Sequence, residues 1–230
     1  MKIAILGGTG REGSGLALRW GAAGEEIIIG SRDVGRAAGV AKRLNRLLRG
    51  TAAIHGASNL QAAFEADVAV LTVPYAAHLA VLTEVKEALR GKLLIDTTVP
   101  FDLKTHERLV PDHHGSALQE AQELLGPSVM VVVAFQNIGF DLLKDVGKAI
   151  DCDVLVCGDD PHARHRTVLL AAKAGLRAVD AGSSRHAGTV ERLTSLLIDL
   201  KRRYKTKETG IRITGLPMCG AQAALPEDRP

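Results

Sequence analysis

Residues 3–13 read IAILGGTGREG, an apolar run that passes directly into a cluster of glycines. The pattern Gly8-x-Gly10-x-x-Gly13 lies between this predicted strand and a predicted amphipathic helix. In such a turn the first glycine permits the tight bend, the second lets a pyrophosphate approach the backbone, and the third lets the helix pack against the strand. The amide groups and the dipole of the helix N-terminus favour the diphosphate. The stretch therefore predicts a strand, turn and helix that bind a dinucleotide.

The end of the second predicted strand indicates which dinucleotide is bound. An NAD site usually has a carboxylate there to hold the ribose 2′-hydroxyl, whereas this strand ends in Gly30-Ser31-Arg32. Ser31 can donate to a phosphate oxygen, Arg32 can stack on adenine or pair with a 2′-phosphate, and Arg36 adds a positive charge one turn later. Asp33 is predicted to cap the next helix. We therefore expect NADP.

Two further segments supply expected cofactor contacts. Thr9, inside the glycine turn, offers a hydroxyl to the phosphates. The fourth predicted strand ends in Thr72-Val73-Pro74, where the proline stops the strand. The Thr72 hydroxyl and the neighbouring backbone amides are expected to face the ribose and the diphosphate.

The alternation of strands and helices predicts an α/β fold, a doubly wound parallel sheet of Rossmann type with a smaller C-terminal lobe. Strands are predicted at 2–6, 26–30, 52–55, 67–72, 92–96 and 129–135, and helices at 13–23, 33–48, 58–64, 76–89 and 116–125. Nearly continuous apolar strands indicate that both faces of the sheet are buried. Ligands of such a sheet bind beyond the carboxyl ends of its strands.

The second part of the chain predicts a smaller lobe that continues the sheet. Helices are expected at 140–149, 161–174 and 187–204, and strands at 153–157 and 176–180. We expect an NADP-binding domain at 1–139, a lobe at 140–216 that closes a cleft, and a flexible tail at 217–230, rich in Pro, Gly and Ala. The cleft is the expected reaction site.

The ends of three strands are expected to surround the nicotinamide. The sixth strand breaks into the amides Gln136 and Asn137, which are predicted to shape the pocket of the hydride partner. Asp96, at the end of the fifth strand, either orients a loop or touches the nicotinamide ribose. His78 follows Pro74 by one turn and could approach the cofactor, but a surface position is the favoured expectation.

Composition excludes several classes of protein. The 230 residues are 46% apolar with a formal charge of +3, and no basic stripe suggests nucleic acid. No apolar run reaches the length of a membrane span and no signal peptide is apparent. Three cysteines without C-x-x-C spacing indicate reduced thiols, and hence a cytoplasmic protein. No metal site is expected, because the histidines at 113, 114, 162 and 165 lack a third ligand.

The sequence resembles a known family over residues 1–216. The stretches that carry the resemblance are LGGTGREGSGLALR at 6–19, GSR at 30–32, VLTVP at 70–74, VCGDD at 156–160, LRAVDAG at 176–182 and ERLT at 191–194. They are similar to the NADP oxidoreductases that depend on 8-hydroxy-5-deazaflavin, coenzyme F420. The resemblance implies reversible hydride transfer between NADPH and the oxidised deazaflavin, and a homodimer. It implies NADP contacts at Thr9, Arg11, Ser31, Arg32, Arg36 and Thr72.

Direct hydride transfer between two such rings requires stacking and positioning, so no catalytic acid or base is expected. Tyr75 and Tyr204 have no lysine four residues later, which argues against a short-chain carbonyl reductase. Two alternatives stay open. The first alternative to hydride transfer with the deazaflavin is an NADPH-dependent reductase of a flavin, a metal or a small imine on the same scaffold, and the second is a non-catalytic NADP-sensing protein.

Overall fold

The computed structural model describes residues 1–102, 105, 109 and 115–216. The strands are β1 (Lys2–Leu6), β2 (Glu26–Ser31), β3 (Ile54–Ser58), β4 (Val68–Leu71), β5 (Leu93–Asp96), β6 (Met130–Val133), β7 (Asp153–Gly158) and β8 (Arg177–Asp180). The helices are α1 (Arg11–Ala22), α2 (Val34–Leu47), α3 (Asn59–Glu65), α4 (His78–Val85), α5 (Ala117–Leu125), α6 (Phe140–Leu143), α7 (Pro161–Lys173) and α8 (Ala187–Arg203). Short 3₁₀ helices occupy Tyr75–Ala77, Glu87–Leu89 and Ser184–His186.

Within the described residues, the strands form one sheet in the order β3-β2-β1-β4-β5-β6-β7-β8. The first six are parallel, β7 pairs antiparallel with β6, and β8 runs parallel to β7. The order β3-β2-β1-β4-β5-β6 is that of a doubly wound Rossmann sheet. The order in which successive strands are added to the sheet reverses between β1 and β4. The predicted fold class is confirmed, and the switch point lies directly beside the glycine turn.

Both faces of the sheet are covered, as the apolar strands predict. Along β1, Ile3 and Ile5 belong to one buried cluster while Ala4 and Leu6 belong to the other. All four side chains are inaccessible to solvent. This alternation follows from the two-residue period of a strand that has helices packed on both sides.

The helix predicted at 140–149 is wrong in its length, because α6 ends at Leu143. The chain turns at Asp145, whose carboxylate accepts a hydrogen bond from the backbone of Gly147 at 3.2 Å. Asp and Gly favour such turns over helix interiors. The result is an irregular segment whose carbonyl groups are available to side chains elsewhere.

Other boundaries differ by a few residues. The strand predicted at 52–55 is β3 at 54–58, because its pairing with β2 starts where Ile27 lies opposite Ile54. The helix predicted at 76–89 is divided into α4 and flanking 3₁₀ helices. The division into domains 1–139 and 140–216 stays a prediction, and the tail at 217–230 lies outside the described residues.

Cys152 and Cys157 are buried free thiols, as expected, while Cys219 lies outside the described residues. Across the described parts of the chain, no group of three or more His, Cys, Asp or Glu side chains is placed to hold a metal ion. His113 and His114 lie outside those parts. No helix in the same residues combines the length and apolar character needed to cross a membrane.

Candidate active site

The glycine turn is held together by close backbone packing. Gly7 has φ +69°, and a Cβ added to it would lie 2.3 Å from Cγ1 of Val73. A Cβ at Gly13 would lie 2.5 Å from Oγ1 of Thr72. Larger residues at these two positions would push apart β1, α1 and the loop after β4. The third glycine of the motif therefore permits the close packing that the pattern predicts.

Gly10 differs from its neighbours in the turn. The nearest atom to a Cβ at Gly10 would be the carbonyl oxygen of Gly7, at an ordinary 3.8 Å. Gly10 is exposed and is the residue before α1, with φ −74° and ψ 175°. Nothing in the described protein requires a glycine there, so the space is available to a ligand at the helix N-terminus. This geometry suits a diphosphate.

The loop after β4 places Thr72, Val73 and Pro74 next to the glycine turn. The Thr72 hydroxyl donates to the carbonyl oxygen of Leu6 at 3.1 Å. Its hydrogen is therefore used within the protein, and only its lone pairs are available to accept a hydrogen bond from a cofactor. Val73 packs against Gly7, as described above, and Pro74 is exposed.

The end of β2 presents the residues expected to choose between NADP and NAD. Ser31 is 8% exposed, and its hydroxyl oxygen accepts a hydrogen bond from the backbone of Asp33 at 3.2 Å. Asp33 caps α2 by accepting from the backbone of Arg36 at 2.9 Å, which confirms its predicted role. Arg32 and Arg36 are exposed, and neither side chain forms an ion pair with a described residue. Both guanidinium groups are free to meet an anion.

A cavity of about 210 Å³ opens beside the N-terminus of α1. Its wall is formed by the chain after β6, by α6, by one side of α8 and by the segment 207–209. The exposed lining is mainly apolar, with polar groups at a few positions. The lining includes Glu12, Val99, Gln136, Asn137, Ile138, Phe140, Thr194, Leu197, Ile198, Lys201 and Lys207. This combination is typical of a site for a small organic ligand.

Phe135 directs the chain into the cavity wall. Its φ is +76°, a conformation that costs a non-glycine residue about 1–3 kcal/mol. The buried ring packs edge-on against Trp20, with centroids 5.7 Å apart. Trp20 in turn donates from Nε1 to the carbonyl oxygen of Leu170 at 2.8 Å. Packing between remote helices therefore holds the strained residue that follows β6.

Gln136 and Asn137 line the cavity at the position where the sequence places them. The Gln136 amide donates to the carbonyl oxygen of Asp96 at 2.8 Å, and the Asn137 amide donates to that of Asp153. The Thr194 hydroxyl donates to the carbonyl oxygen of Gln136 at 2.9 Å. The side-chain oxygens Oε1 of Gln136 and Oδ1 of Asn137 are buried and have no partner among the described residues. Both amides therefore retain an acceptor for a ligand.

A buried ionic network lies behind the end of β5. His78 Nε2 is 2.7 Å from Oδ2 of Asp96, and Nδ1 is 3.1 Å from Oε2 of Glu120. The Tyr75 hydroxyl donates to Oε1 of Glu120 at 3.0 Å. The expectation that His78 lies at the surface is wrong, because its side chain is completely buried. Its position on the inner face of α4 places it against the polar ends of β5 and α5.

The charges in this network stabilise one another. Burial alone would lower the pKa of His78, but Asp96 and Glu120 outweigh it and raise the pKa. Burial would raise the pKa of Asp96, yet His78 and Thr98 lower it. Because each ring nitrogen faces a carboxylate, the imidazole is held as a doubly protonated cation. Asp96 is thus committed to His78 and to Thr98, whose backbone amide donates a hydrogen bond to its Oδ1 at 2.8 Å.

Two further carboxyl groups nearby have raised pKa values. Burial raises the pKa of Glu191 to about 8, although the backbone amides of Ala117 and Leu118 at the start of α5 donate to it. Burial also raises the pKa of Glu12 to about 8, opposed by the Thr97 hydroxyl and reinforced by the negative charge of Asp96. Of the two, only Glu12 lines the cavity, where a perturbed pKa is typical of a functional site. Sequence reasoning missed both residues, because nothing in their local sequence shows that they are buried.

Arg11 lies over the side of the cavity formed by α6. Its guanidinium carbon is 3.7 Å from the centroid of the Phe140 ring, and its Nη2 is 3.3 Å from Oδ1 of Asp141. The side chain is exposed and can leave these contacts at small cost. Its predicted contact with NADP stays a prediction.

The fold and the site together define a dinucleotide-binding protein of Rossmann type with a cavity beside the glycine turn. A family model described as "NADP oxidoreductase coenzyme F420-dependent" matches residues 2–100. The "F420-dependent NADP reductase" of Methanothermobacter marburgensis is 44% identical over 223 residues, covering 94% of this chain and 100% of the relative. The protein of the same name from Methanocaldococcus jannaschii is 44% identical over 225 residues, covering 94% and 99%.

A solved structure from Arthrobacter sp. FB24, assigned to the F420-dependent NADP-reductases, is similar to this chain with a TM-score of 0.78 and 29% identity. The match covers 93% of this chain and 99% of that structure. This chain belongs to the F420-dependent NADP reductase family. The resemblance found in the sequence is confirmed over nearly the whole chain.

Proposed function

We propose that this protein transfers a hydride reversibly between NADP(H) and the oxidised deazaflavin coenzyme F420. The observation that carries the proposal is the position of the cavity. Glu12, which lies within the glycine motif itself, is also part of the cavity wall. A nicotinamide extending from the glycine turn and a ring in the cavity would therefore meet at one place, as hydride transfer requires.

The proposed NADP contacts follow the glycine turn and the ends of β2 and β4. The open space at Gly10 and the amides at the start of α1 favour the diphosphate. The exposed Arg32 and Arg36 beside Ser31 favour a 2′-phosphate, because Asp33 is occupied as a helix cap. The proposed contact residues are Gly8, Thr9, Gly10, Arg11, Gly13, Ser31, Arg32, Arg36, Thr72, Val73 and Pro74.

The proposed second substrate fits the chemistry of the cavity. Apolar side chains such as Ile138 and Leu197 can cover the faces of a planar ring. The unpartnered amide oxygens of Gln136 and Asn137 can accept hydrogen bonds from N–H groups on its edge. Dihydronicotinamide supplies the hydride. The residues of this chain hold the two rings in contact and exclude water from the space between them.

The organisation of the protein beyond the site is also a proposal. We place the boundary between the NADP-binding domain and the smaller lobe at residue 139, which lies between the last parallel strand, β6, and the antiparallel strand β7. The homodimer and the cytoplasmic location are supported by the family resemblance and by the free buried thiols. Sedimentation of the purified protein measures the first of these directly.

The proposed reaction is tested by absorbance. Purified protein is mixed with NADPH and oxidised F420, and loss of the deazaflavin absorption band is followed with time. Turnover dependent on the protein supports the proposal. Turnover of a flavin, a ferric complex or a small imine without turnover of F420 would contradict the proposal and show that the protein is a reductase of another acceptor. Binding of NADPH with no turnover of any acceptor would also contradict the proposal and favour a non-catalytic NADP-sensing protein.

A further inference from the structure

Glu12 stands out among the cavity residues because one of its carboxyl oxygens is unpartnered. Oε1 is closed to solvent and forms no hydrogen bond with any described residue. The residue lies in the first turn of α1, between the glycines that bind the diphosphate, and its side chain forms part of the cavity wall. A buried oxygen of this kind costs free energy unless a ligand completes it or the group is neutral.

The surroundings of Glu12 favour its neutral form. Burial raises its pKa to about 8, and the charge of Asp96 on β5 raises it further. The Thr97 hydroxyl opposes this rise in pKa, although it donates a hydrogen bond to the carbonyl oxygen of Leu71 at 2.9 Å and so is shared between the two groups.

No described cation is committed to Glu12. Arg11, the adjacent residue, is turned toward Phe140 and Asp141. The other charged side chains that line the cavity are Asp141 on α6, Lys201 on α8, and Lys207 and Glu208 on the following segment. A diphosphate bound at the start of α1 would add further negative charge close to Glu12 and strengthen its hold on the proton.

The proposed reaction requires a proton as well as a hydride. A C–H bond of dihydronicotinamide breaks, and both electrons form a new C–H bond at the deazaflavin ring carbon. An electron pair of the conjugated ring system then moves to a ring nitrogen, which must take up one proton. NADPH does not supply this proton, and an apolar cavity closed by two rings leaves little water to do so.

We propose that Glu12 donates this proton to the deazaflavin ring nitrogen and accepts it back in the reverse reaction. The inference rests on the proposed function. In the forward direction the O–H bond of Glu12 breaks as the N–H bond of the ring forms, which leaves a carboxylate. The carboxylate regains its proton from solvent after the reduced ring has left. Glu12 would therefore be a catalytic residue, in contrast to the expectation that hydride transfer here needs no acid or base.

The first experiment compares Glu12→Gln with wild type and with Glu84→Gln, a matched change at an exposed residue of α4. Glutamine keeps the size of the side chain but cannot donate a carboxylic proton. We expect kcat for F420 reduction to fall by about 100-fold in Glu12→Gln, with the NADPH dissociation constant changed by less than about twofold. The wild-type rate should fall above pH 8 as Glu12 ionises, and this limb should be absent from the variant.

The second experiment does not depend on activity. Glutamate labelled with ¹³C at the side-chain carboxyl is titrated by NMR in wild type, Glu12→Gln and Glu191→Gln. The Glu191 variant is needed because that carboxyl also has a raised pKa. One resonance that titrates near pH 8 should be lost in Glu12→Gln and retained in Glu191→Gln.

The outcomes separate the two proposals. If wild type reduces F420 and Glu12→Gln does so with the same rate and pH profile, the role of Glu12 is overturned and the proposed function stands. A Glu12 resonance that titrates near the ordinary value of 4.5 also overturns it. If wild type fails to reduce F420 under any condition, the proposed function fails first, and the role of Glu12 fails with it.

Discussion

The glycine turn at residues 7–13 and the cavity segment at residues 135–143 are built in opposite ways. The turn is shaped mainly by its glycines, because Gly7 has a positive φ and Gly13 leaves room both for the backbone of Gly8 and for the Thr72 side chain after β4. The cavity segment is shaped by side chains that are distant in the sequence. Arg19 and Trp20 on α1 and Thr194 on α8 hold it from both sides. A local motif can encode the first region, whereas only the assembled fold can produce the second.

The two regions also use charge differently. The proposed nucleotide side presents exposed cations, Arg32 and Arg36, whose charges remain hydrated when no ligand is bound. Behind the cavity, His78, Asp96 and Glu120 are buried and already paired with one another. Substitutions on the nucleotide side should therefore change binding, and those behind the cavity should change stability.

Replacement of Arg19 by Ala should have the largest effect. The buried guanidinium donates to five backbone carbonyl oxygens, which belong to Leu142, Leu143, Asp145, Lys148 and Ala174. The change leaves these acceptors without a donor and opens a cavity, so we expect the free energy of unfolding to fall by about 5 kcal/mol. Denaturation by urea measures the loss.

Arg43→Ala is the control for this prediction, since Arg43 is an exposed residue of α2. It should change the free energy of unfolding by less than about 0.5 kcal/mol. Equal losses in the two variants would show that Arg19 does not fasten the cavity segment.

Replacement of His78 by Ala should cost about 3–5 kcal/mol, because it leaves Asp96 and Glu120 buried without their shared cation. The raised pKa of His78 makes this contribution depend on pH. It is fully present below the unfolded value of 6.5 and is lost as the pH rises through the folded pKa. The pKa of Asp96 is lower in the folded protein than its unfolded value of 3.8. The stabilisation by the ion pair is therefore also lost in acid, as the pH falls below 3.8 and through the folded pKa of Asp96.

Unfolding free energies of wild type and His78→Ala, measured from pH 4 to pH 9, test this dependence. The difference should be greatest near pH 5–6 and should shrink in alkaline solution. His162→Ala, an exposed position on α7, should give a difference near zero at every pH. A difference between wild type and His78→Ala that grows with pH would contradict the ionic network.

The contrast between the two regions explains what the sequence could predict. The first six strands follow from apolar runs separated by helical periods, and the glycine turn from four closely spaced glycines. The carboxyl ends of parallel strands also point to Gln136 and Asn137, which line the cavity, while their contact with the hydride partner stays a prediction. These predictions needed only residues close in the sequence.

The missed features depend on contacts between distant residues. His78 was expected at the surface because it lies near the start of a helix, but the residues that bury it come from β5 and α5. After α6 the chain turns at Asp145, and the carbonyl groups of the irregular segment that follows accept hydrogen bonds from Arg19. No local period or motif records either contact.

Replacement of Arg32 by Ala should affect binding alone. Loss of one pairing with the 2′-phosphate should weaken NADPH binding by about 1.5–3 kcal/mol, roughly 10- to 150-fold in the dissociation constant. NADH lacks this phosphate, so its affinity should change by less than about twofold. Calorimetric titration with both nucleotides measures the two values. If NADPH affinity is unchanged while NADH affinity falls, the assignment of residues 30–32 to the 2′-phosphate is wrong.

The smallest predicted effect concerns Asp33, the carboxylate that would have indicated NAD had it reached the ribose. Its side chain caps α2, so Asp33→Ala should lower the free energy of unfolding by about 1 kcal/mol. Asp33→Ser removes the charge but keeps a capping oxygen, and should restore most of that stability. In both variants the ratio of NADPH to NADH affinity should stay within about threefold of wild type, because the carboxylate is committed to the helix. A tenfold shift in this ratio in Asp33→Ser, with stability intact, would show that the carboxylate acts on the nucleotide and not only on the fold.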